Sequence, residues 1–346
     1  MSSFSRRVFM AGASAAALAA CTQQREAGAG GHVNVYSARH YDADRAIYNR
    51  FTELTGIEVR VLPANGDQLI ERLRQEGDQT EADLIVTVDG GNLWRLTEAG
   101  LLQPSTSPTL EAAVPERFSD PQQRWWAFSK RIRVMMYRRE IVDPATLSSM
   151  DDLAAARFRD EVVARSSTNT YNLSMLAARI ERAGRENALA WARGVRENFA
   201  RDPQGGDIEQ IRAVAAGQAE LTISNHYYYL RLQNSEDPAD RAVAEQVGVF
   251  LPDQQGPGVH VNISGAGVCA YARRPEAAQR LLDYLVHDDA QRTIQELNWE
   301  FPIRPDAALL PQLSALGRFH EEQIPFDALG RRQSEAARVY EEAGWR

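Results

Sequence analysis

Cysteine is almost missing from this 346-residue chain. Only Cys21 and Cys269 occur, which excludes a disulfide framework and a zinc site built on thiolates. Long apolar runs are missing too: the stretch Ala11 to Ala20 is shorter than the ~20 residues a membrane-spanning helix needs, and nothing later approaches that length. Positive charge is in deficit. With 39 Lys and Arg against 47 Asp and Glu, a formal charge of −8 excludes nucleic acid as the main partner. Catalytic signatures are equally absent, with no Gly-x-Ser-x-Gly elbow and no His-Glu-x-x-His pair. Asp89-Gly90-Gly91 reads as a tight turn lining a cleft, but no lysine and Ser or Thr follow to make it a phosphate loop. No carboxylate pair stands out from the 47 acids, so no enzyme is expected.

What is present is ordinary globular composition, 44% hydrophobic and 25% charged, at a length that suggests two domains. Residues 1–21 form a separate unit. Arg6-Arg7 ahead of Phe9 and an Ala-rich run resembles a twin-arginine export signal, and Leu18-Ala19-Ala20-Cys21 resembles a lipobox in which Cys21 is acylated. The competing reading is an Ala-rich leader in which Cys21 is incidental. The leader carries two arginines and no acid, so its removal makes the remainder more acidic. Residues 22–31 read as a flexible tether, and Cys269, left without a partner, as a small core residue.

From His32 the periodicity alternates. Val33 to Ser37, Ile57 to Leu62 and Leu84 to Val88 predict strands, separated by helices near Ala43 to Leu54 and Gln68 to Gln75. Gly56 is placed as a C-terminal cap and Asp67 as an N-cap. Trp125 to Tyr137 is a long apolar run, interrupted by Lys130, Arg131 and Arg133, that predicts a strand crossing between two lobes. A second α/β set follows: strands at Val162 to Ser166, Leu221 to Ser224, Val247 to Leu251 and Val261 to Tyr271, with helices at Ser174 to Ala183, Glu186 to Phe199 and Ile208 to Ala216. From Pro275 the pattern is helical to near the end, apart from Phe301 to Pro305.

Tyrosine falls at three predicted strand ends: Arg39-His40-Tyr41, Asn169-Thr170-Tyr171-Asn172 and Asn225-His226-Tyr227-Tyr228-Tyr229. Ligands of open α/β sheets bind at the carboxyl ends of strands. Neighbouring Tyr227 and Tyr228 share one ligand only if they occupy the first turn of a helix capped by Ser224 or Asn225, since strand neighbours point to opposite faces. Phenols, neutral at pH 7, converge for a reason when a hard trivalent cation ionises them, with His40 or His226 as an added nitrogen donor. The alternative is a pocket wall of tyrosines bonded to backbone.

Five segments in order, Val35 to Tyr41, Ala82 to Asp89, Ser166 to Asn172, Asn225 to Tyr228 and His260 to Gly265, resemble the periplasmic ferric-iron-binding proteins of bacterial ABC importers. The resemblance runs from about His32 to Pro302. It implies an α/β fold of the two-lobed periplasmic binding protein type (type II, transferrin-like), a hinge-closing clamshell with the ligand in the interlobe cleft. Lobe 1 is expected over 32–130 plus about 263–300, and lobe 2 over 131–262 plus about 301–346. Carried over by position, the iron donors fall on Tyr41, Tyr171, Tyr227, Tyr228 and His40, with Tyr229 outside the set and the role of His226 open. Arg39 and Arg133 either offset phenolate charge and hold an anion, or serve as structural ion-pair partners.

The resemblance implies an exported, lipid-anchored monomeric receptor that carries Fe(III), or Fe(II), with a synergistic anion, to an ABC permease. Two other functions compete. One is a related receptor for an organic or oxyanion ligand such as thiamine or a phosphonate, whose tyrosines would stack; the other is an iron-dependent oxygenase, which would need an organic-substrate pocket.

Overall fold

The computed structural model describes residues 31–39 and 41–346. Cys21, the leader, the tether to residue 30, and His40 lie outside the described residues. The chain begins with β1 (His32–Ser37), α1 (Asp42–Thr55), β2 (Glu58–Pro63), α2 (Gly66–Glu76), β3 (Leu84–Thr87), α3 (Gly90–Glu98) and α4 (Pro108–Ala113). Helix α1 turns Ala43, Ile47, Tyr48 and Phe51 inward, at the spacing of one helical face. It ends at Gly56, whose φ of 72° allows its N–H to reach Thr52 O. Helix α2 is capped by Asn65, which accepts from Gln68 N, so the expected Asp67 cap is corrected: Asp67 already lies inside the helix.

The long strand β4 (Trp126–Arg138) follows, then β5 (Val162–Val163), α5 (Thr170–Ala183), α6 (Arg185–Glu197), α7 (Asp207–Ala215), β6 (Leu221–Asn225), α8 (His226–Gln233), α9 (Pro238–Gln246) and β7 (Val247–Phe250). The chain closes with β8 (Val261–Val268), α10 (Pro275–Leu285), α11 (Asp288–Asn298), β9 (Phe301–Pro302), α12 (Pro311–Ser314) and α13 (Phe326–Ala343). Several expectations are shortened: the strand expected over Val261 to Tyr271 ends at Val268, the break in the helical pattern at Phe301 to Pro305 is a strand only as far as Pro302, and two others change further. The strand at Val162 ends after two residues, because Ser166 and Asn169 already build the turn that starts α5. The helical pattern after Pro275 is broken between Ile303 and Pro325, where only α12 is helical.

The strand order is β2-β1-β3-β8-β4-β6-β5, with β7 and β9 also on β4. Strand β1 is parallel to both neighbours, whereas β8 returns antiparallel between β3 and β4. Residues Trp126 to Ile132 of β4 register with β8, and Arg133 to Arg138 register with β6 and β7. One strand thus serves two sheets, and the two lobes of the expected clamshell are built around it. A smaller core gathers Leu153, Leu176, Trp191, Tyr340 and Trp345 under α5, α6 and α13, apart from the larger core around β1, β3 and β8. Cys269 is buried and unpaired, as expected. Among the described residues no helix is long and apolar enough to cross a membrane.

Helix α13 packs on α3, α5 and α6. Its crossing with α3 is close because glycine stands on both sides: a Cβ at Gly330 would sit 2.8 Å from the Gly91 carbonyl and press into the Trp94 ring. Gly330→Ala should therefore lower stability by about 1–3 kcal/mol, the usual range for overpacking, measured by urea denaturation. An unchanged midpoint would show that the helices can separate at no cost.

Candidate functional site

Each tyrosine singled out in the sequence sits at the start of a helix. Tyr41 is the N-cap residue of α1; its N–H donates to Asp44 Oδ2 at 3.0 Å. Tyr171 is the second residue of α5, where its N–H donates to the side chain of the cap Asn169. Tyr227 and Tyr228 occupy the first turn of α8, directly after β6, with Asn225 in the cap position. The helical turn lets these neighbours lean the same way, and their ring centroids are 4.3 Å apart.

The four side chains meet. The hydroxyl of Tyr227 donates to Tyr171 Oη at 3.3 Å, and the Tyr171 and Tyr41 hydroxyls lie 3.4 Å apart. Tyr41, Tyr171 and Tyr228 line a cavity of about 520 Å³ together with Arg165, Arg231 and Asn298, while Tyr227 is fully buried behind them. Burial pushes the Tyr41 and Tyr227 phenols well above their ordinary value, and the nearby phenols raise them further. Tyr228 is raised for the same two reasons. Tyr41, Tyr227 and Tyr228 therefore keep their protons at pH 7, and the hydroxyls of Tyr41, Tyr171 and Tyr227 form a hydrogen-bonded chain.

Guanidinium groups stand behind the rings. Arg39 lies 4.8 Å from the Tyr41 centroid, Arg131 5.1 Å and Arg133 5.9 Å from that of Tyr171. Arg39 donates from Nε to Asp44 at 2.9 Å and from Nη1 to Glu300 at 2.8 Å and to Ser264 at 2.5 Å, while its buried Nη2 has no hydrogen-bond partner among the described residues. Arg133 donates to Asp207 at 3.0 Å, Asn172 at 2.6 Å and Asn225 at 3.3 Å. Burial alone would push the Glu300 carboxyl up, yet Arg39 and Arg131 outweigh it and hold Glu300 below its ordinary value. Both arginines named from the sequence are thus ion-pair partners that also face a phenol ring. Four residues of this layer escaped attention: Arg131, Arg165, Asp207 and Glu300. The basic interruptions of the β4 run contained Arg131, but nothing local connects Glu300 with Arg39.

Other positions resolve differently. His226 supplies no free nitrogen: Nδ1 accepts from Ile132 N–H at 3.3 Å and Nε2 donates to Trp299 O at 2.9 Å. Its ring stacks on Phe301, and burial pushes its pKa down to about 4, so it is a neutral structural link and not the added donor considered for it. Asp89 is buried and does not line the cavity; it caps α3 through Asn92 N, accepts from Asn262 Nδ2 at 2.6 Å and bonds Ser174 of α5. Tyr229 points away, with Arg139 donating to its hydroxyl at 3.3 Å. His260 pairs with Glu322 at 2.8 Å. His40 lies outside the described residues. Among the described residues no group of three His, Cys, Asp or Glu side chains is placed to hold a metal ion.

Phenols on one cavity, backed by guanidinium groups, are a donor set for a hard trivalent cation, whose charge supplies the drive to ionise them. Replacing His226 with alanine should leave the Ile132 and Trp299 backbone groups unpaired and cost about 1–3 kcal/mol each in thermal or urea denaturation. Full stability of His226→Ala would mean those bonds carry no weight.

Comparison with known proteins supplies the chain's relatives. A family model described as bacterial extracellular solute-binding protein matches residues 46–320. Iron uptake protein A1 of Synechocystis is 43% identical over 314 residues, covering 91% of this chain and 87% of the relative. Iron uptake protein A2 of the same organism is 43% identical over 345 residues, covering 99% and 98%. A Trichodesmium protein, solved in complex with iron and citrate ligands, superposes with a TM-score of 0.86 at 43% identity, covering 91% of this chain and all of that one.

Proposed function

The chain belongs to the bacterial extracellular solute-binding proteins, and on that premise we propose that it is an iron receptor: it captures Fe(III) between its lobes on the phenolates of Tyr41, Tyr171, Tyr227 and Tyr228. The observation that carries this reading is the chain of hydroxyls, 3.3 Å and 3.4 Å apart, that ties α8, α5 and the start of α1 to one point. The iron-uptake relatives and the iron-and-citrate complex of the Trichodesmium protein support it. An enzyme is disfavoured, because nothing among the described residues of the cluster is arranged as a nucleophile with a base.

The protein's part is to bring neutral phenols together and let the cargo ionise them. Each phenol that binds must release its proton, and the raised values of Tyr41, Tyr227 and Tyr228 mean that those protons are still present at pH 7. Arg39, Arg131 and Arg133 then balance the phenolate charge from behind the rings. Arg165 and Arg231 face the remaining cavity volume, which suits an anion completing the metal's coordination. His40, next to Tyr41 in sequence, is a fifth candidate donor. The lobes close over the iron, and the closed form hands it to an ABC permease. In this reading residues 1–21 direct twin-arginine export, and acylated Cys21 holds the receptor at the membrane.

Ferric citrate added to the purified protein should produce a visible phenolate-to-iron band that a chelator removes; a colourless protein would make the tyrosines a pocket wall. Tyr227→Phe keeps the ring but deletes a donor, so iron affinity should fall by more than the 10–100-fold typical of outer partners of a metal site. In weakly buffered solution the same variant should release one proton fewer per iron bound. Unchanged affinity and proton count would remove Tyr227 from the donor set. For the anchor, Cys21→Ser should move the exported protein from the membrane fraction to the soluble one, and continued membrane partition would reject lipidation.

A further inference from the structure

The segment after α12 carries two adjacent acids, Glu321 and Glu322, and it docks where β4 passes from one sheet to the other. Strand β4 leaves β8 after Ile132, and the N–H of the next residue, Arg133, donates to His260 O at 2.9 Å just before β8 begins. The acids are bound to that same stretch of backbone: Val259 N donates to His320 O at 2.8 Å, and Glu322 N to Val259 O at 2.9 Å. Gly258, at a φ of 92°, makes the approach possible, since a Cβ there would sit 2.6 Å from the Glu321 carbonyl carbon. Glu321 and Glu322 are therefore fixed at the crossing point itself.

Their side chains part to opposite sides. Glu321 pairs with Lys130 at 2.7 Å and Arg117 at 3.5 Å. Lys130 registers with Ile263 of β8, and Arg117 precedes Phe118 of the larger core. Glu322 pairs with Arg182 and lies 2.8 Å from His260 Nδ1. Arg182 stands in the last turn of α5, whose Leu176 and Ile180 belong to the smaller core and whose first turn carries Tyr171. The side chains of Glu321 and Glu322 are only 17% and 4% exposed, so salt screens them less than it screens surface pairs. Burial alone would push the Glu322 carboxyl up, yet His260 and Arg182 hold it below its ordinary value.

We propose that Glu321 and Glu322 form a clasp that sets the angle between the lobes and so positions Tyr171 against Tyr41. Glu321 ties the segment to the body that carries Tyr41, and Glu322 ties it to the far end of the helix that carries Tyr171. Rotation of the lobes about β4 and β8 changes the distance that the Arg182–Glu322 pair must span. The consequence for iron capture rests on the iron reading; the clasp itself does not.

The test is small-angle X-ray scattering of the purified iron-free protein. Arg182→Gln should raise the radius of gyration above that of the wild type, and Arg182→Lys, which keeps the charge, should remain close to it. Lys130 is the chain's one lysine, so amine acetylation resolved by peptide mass spectrometry reads its pairing directly. Glu321→Gln should raise the Lys130 labelling rate severalfold. In ferric citrate titrations Arg182→Gln should bind iron about threefold to tenfold more weakly, the scale of one or two ion pairs. The position of its phenolate-to-iron band should not move, because no donor is altered. Equal scattering by wild type and Arg182→Gln, or an unchanged Lys130 rate in Glu321→Gln, would overturn the clasp, and a lowered thermal midpoint with unchanged scattering would make the pairs merely structural. A wider Arg182→Gln protein with no iron band in any variant would instead count against the tyrosine reading and leave the clasp standing.

Discussion

Several phenol oxygens brought to one point are an electrostatic problem, and the arrangement of this molecule follows from how that problem is handled. With their protons, the hydroxyls of Tyr41, Tyr171 and Tyr227 bond one another and the cluster is stable as a neutral object. Without them, the same oxygens repel unless positive charge is close. The chain places Arg39, Arg131 and Arg133 behind the rings and fixes the first and last with Asp44, Glu300 and Asp207. Buried ion pairs of this kind add little net stability, because desolvation offsets their attraction. Their contribution here is to hold positive charge in place behind the rings.

The scaffold converts this requirement into topology. Strand β4 passes from one sheet to the other, and the arginines of this layer alternate with apolar residues along it: Arg131 registers with Asn262 of β8, Arg133 with Asn225 of β6. Tyr171 and the Tyr227–Tyr228 pair arrive from helix starts, where backbone N–H groups face outward and side chains fan from a single turn. Asp89 ties the α3 start to α5 through Ser174, so the helix that carries Tyr171 is anchored to the strand end beside it. His226 spends both ring nitrogens on backbone groups of β4 and of the residue after α11, fixing α8 against the crossing strand. Residues next to the tyrosines thus hold the cluster's geometry.

Local patterns made most elements legible. The 3.6-residue spacing of Ala43, Ile47 and Phe51 and the glycine after Thr55 marked α1 and its end. The long apolar run interrupted by Lys130, Arg131 and Arg133 marked a strand crossing between two lobes. Errors arose where two local signals compete within a few residues. Asn65 and Asp67 are both good caps, and the hydrogen bond from Gln68 N to Asn65 decided between them. Ser166 and Asn169 end β5 early because their side chains serve the following turn, a choice that β-branched residues upstream do not reveal.

At the site, the chain alone determined which residue types stand at strand ends, and therefore the chemistry available there: phenols, a neighbouring histidine and basic residues on the crossing strand. That information is local, because a strand end and the helix start after it are written within a few consecutive residues. Only the tertiary structure decided that His226 faces backbone and not the cavity, that Glu300 answers Arg39 across 261 positions, and that Asp207 serves both Arg133 and Arg165. Those pairings depend on how separate elements pack. A buried charge takes whichever opposite charge the fold brings within a few ångströms, and no spacing along the chain encodes that distance.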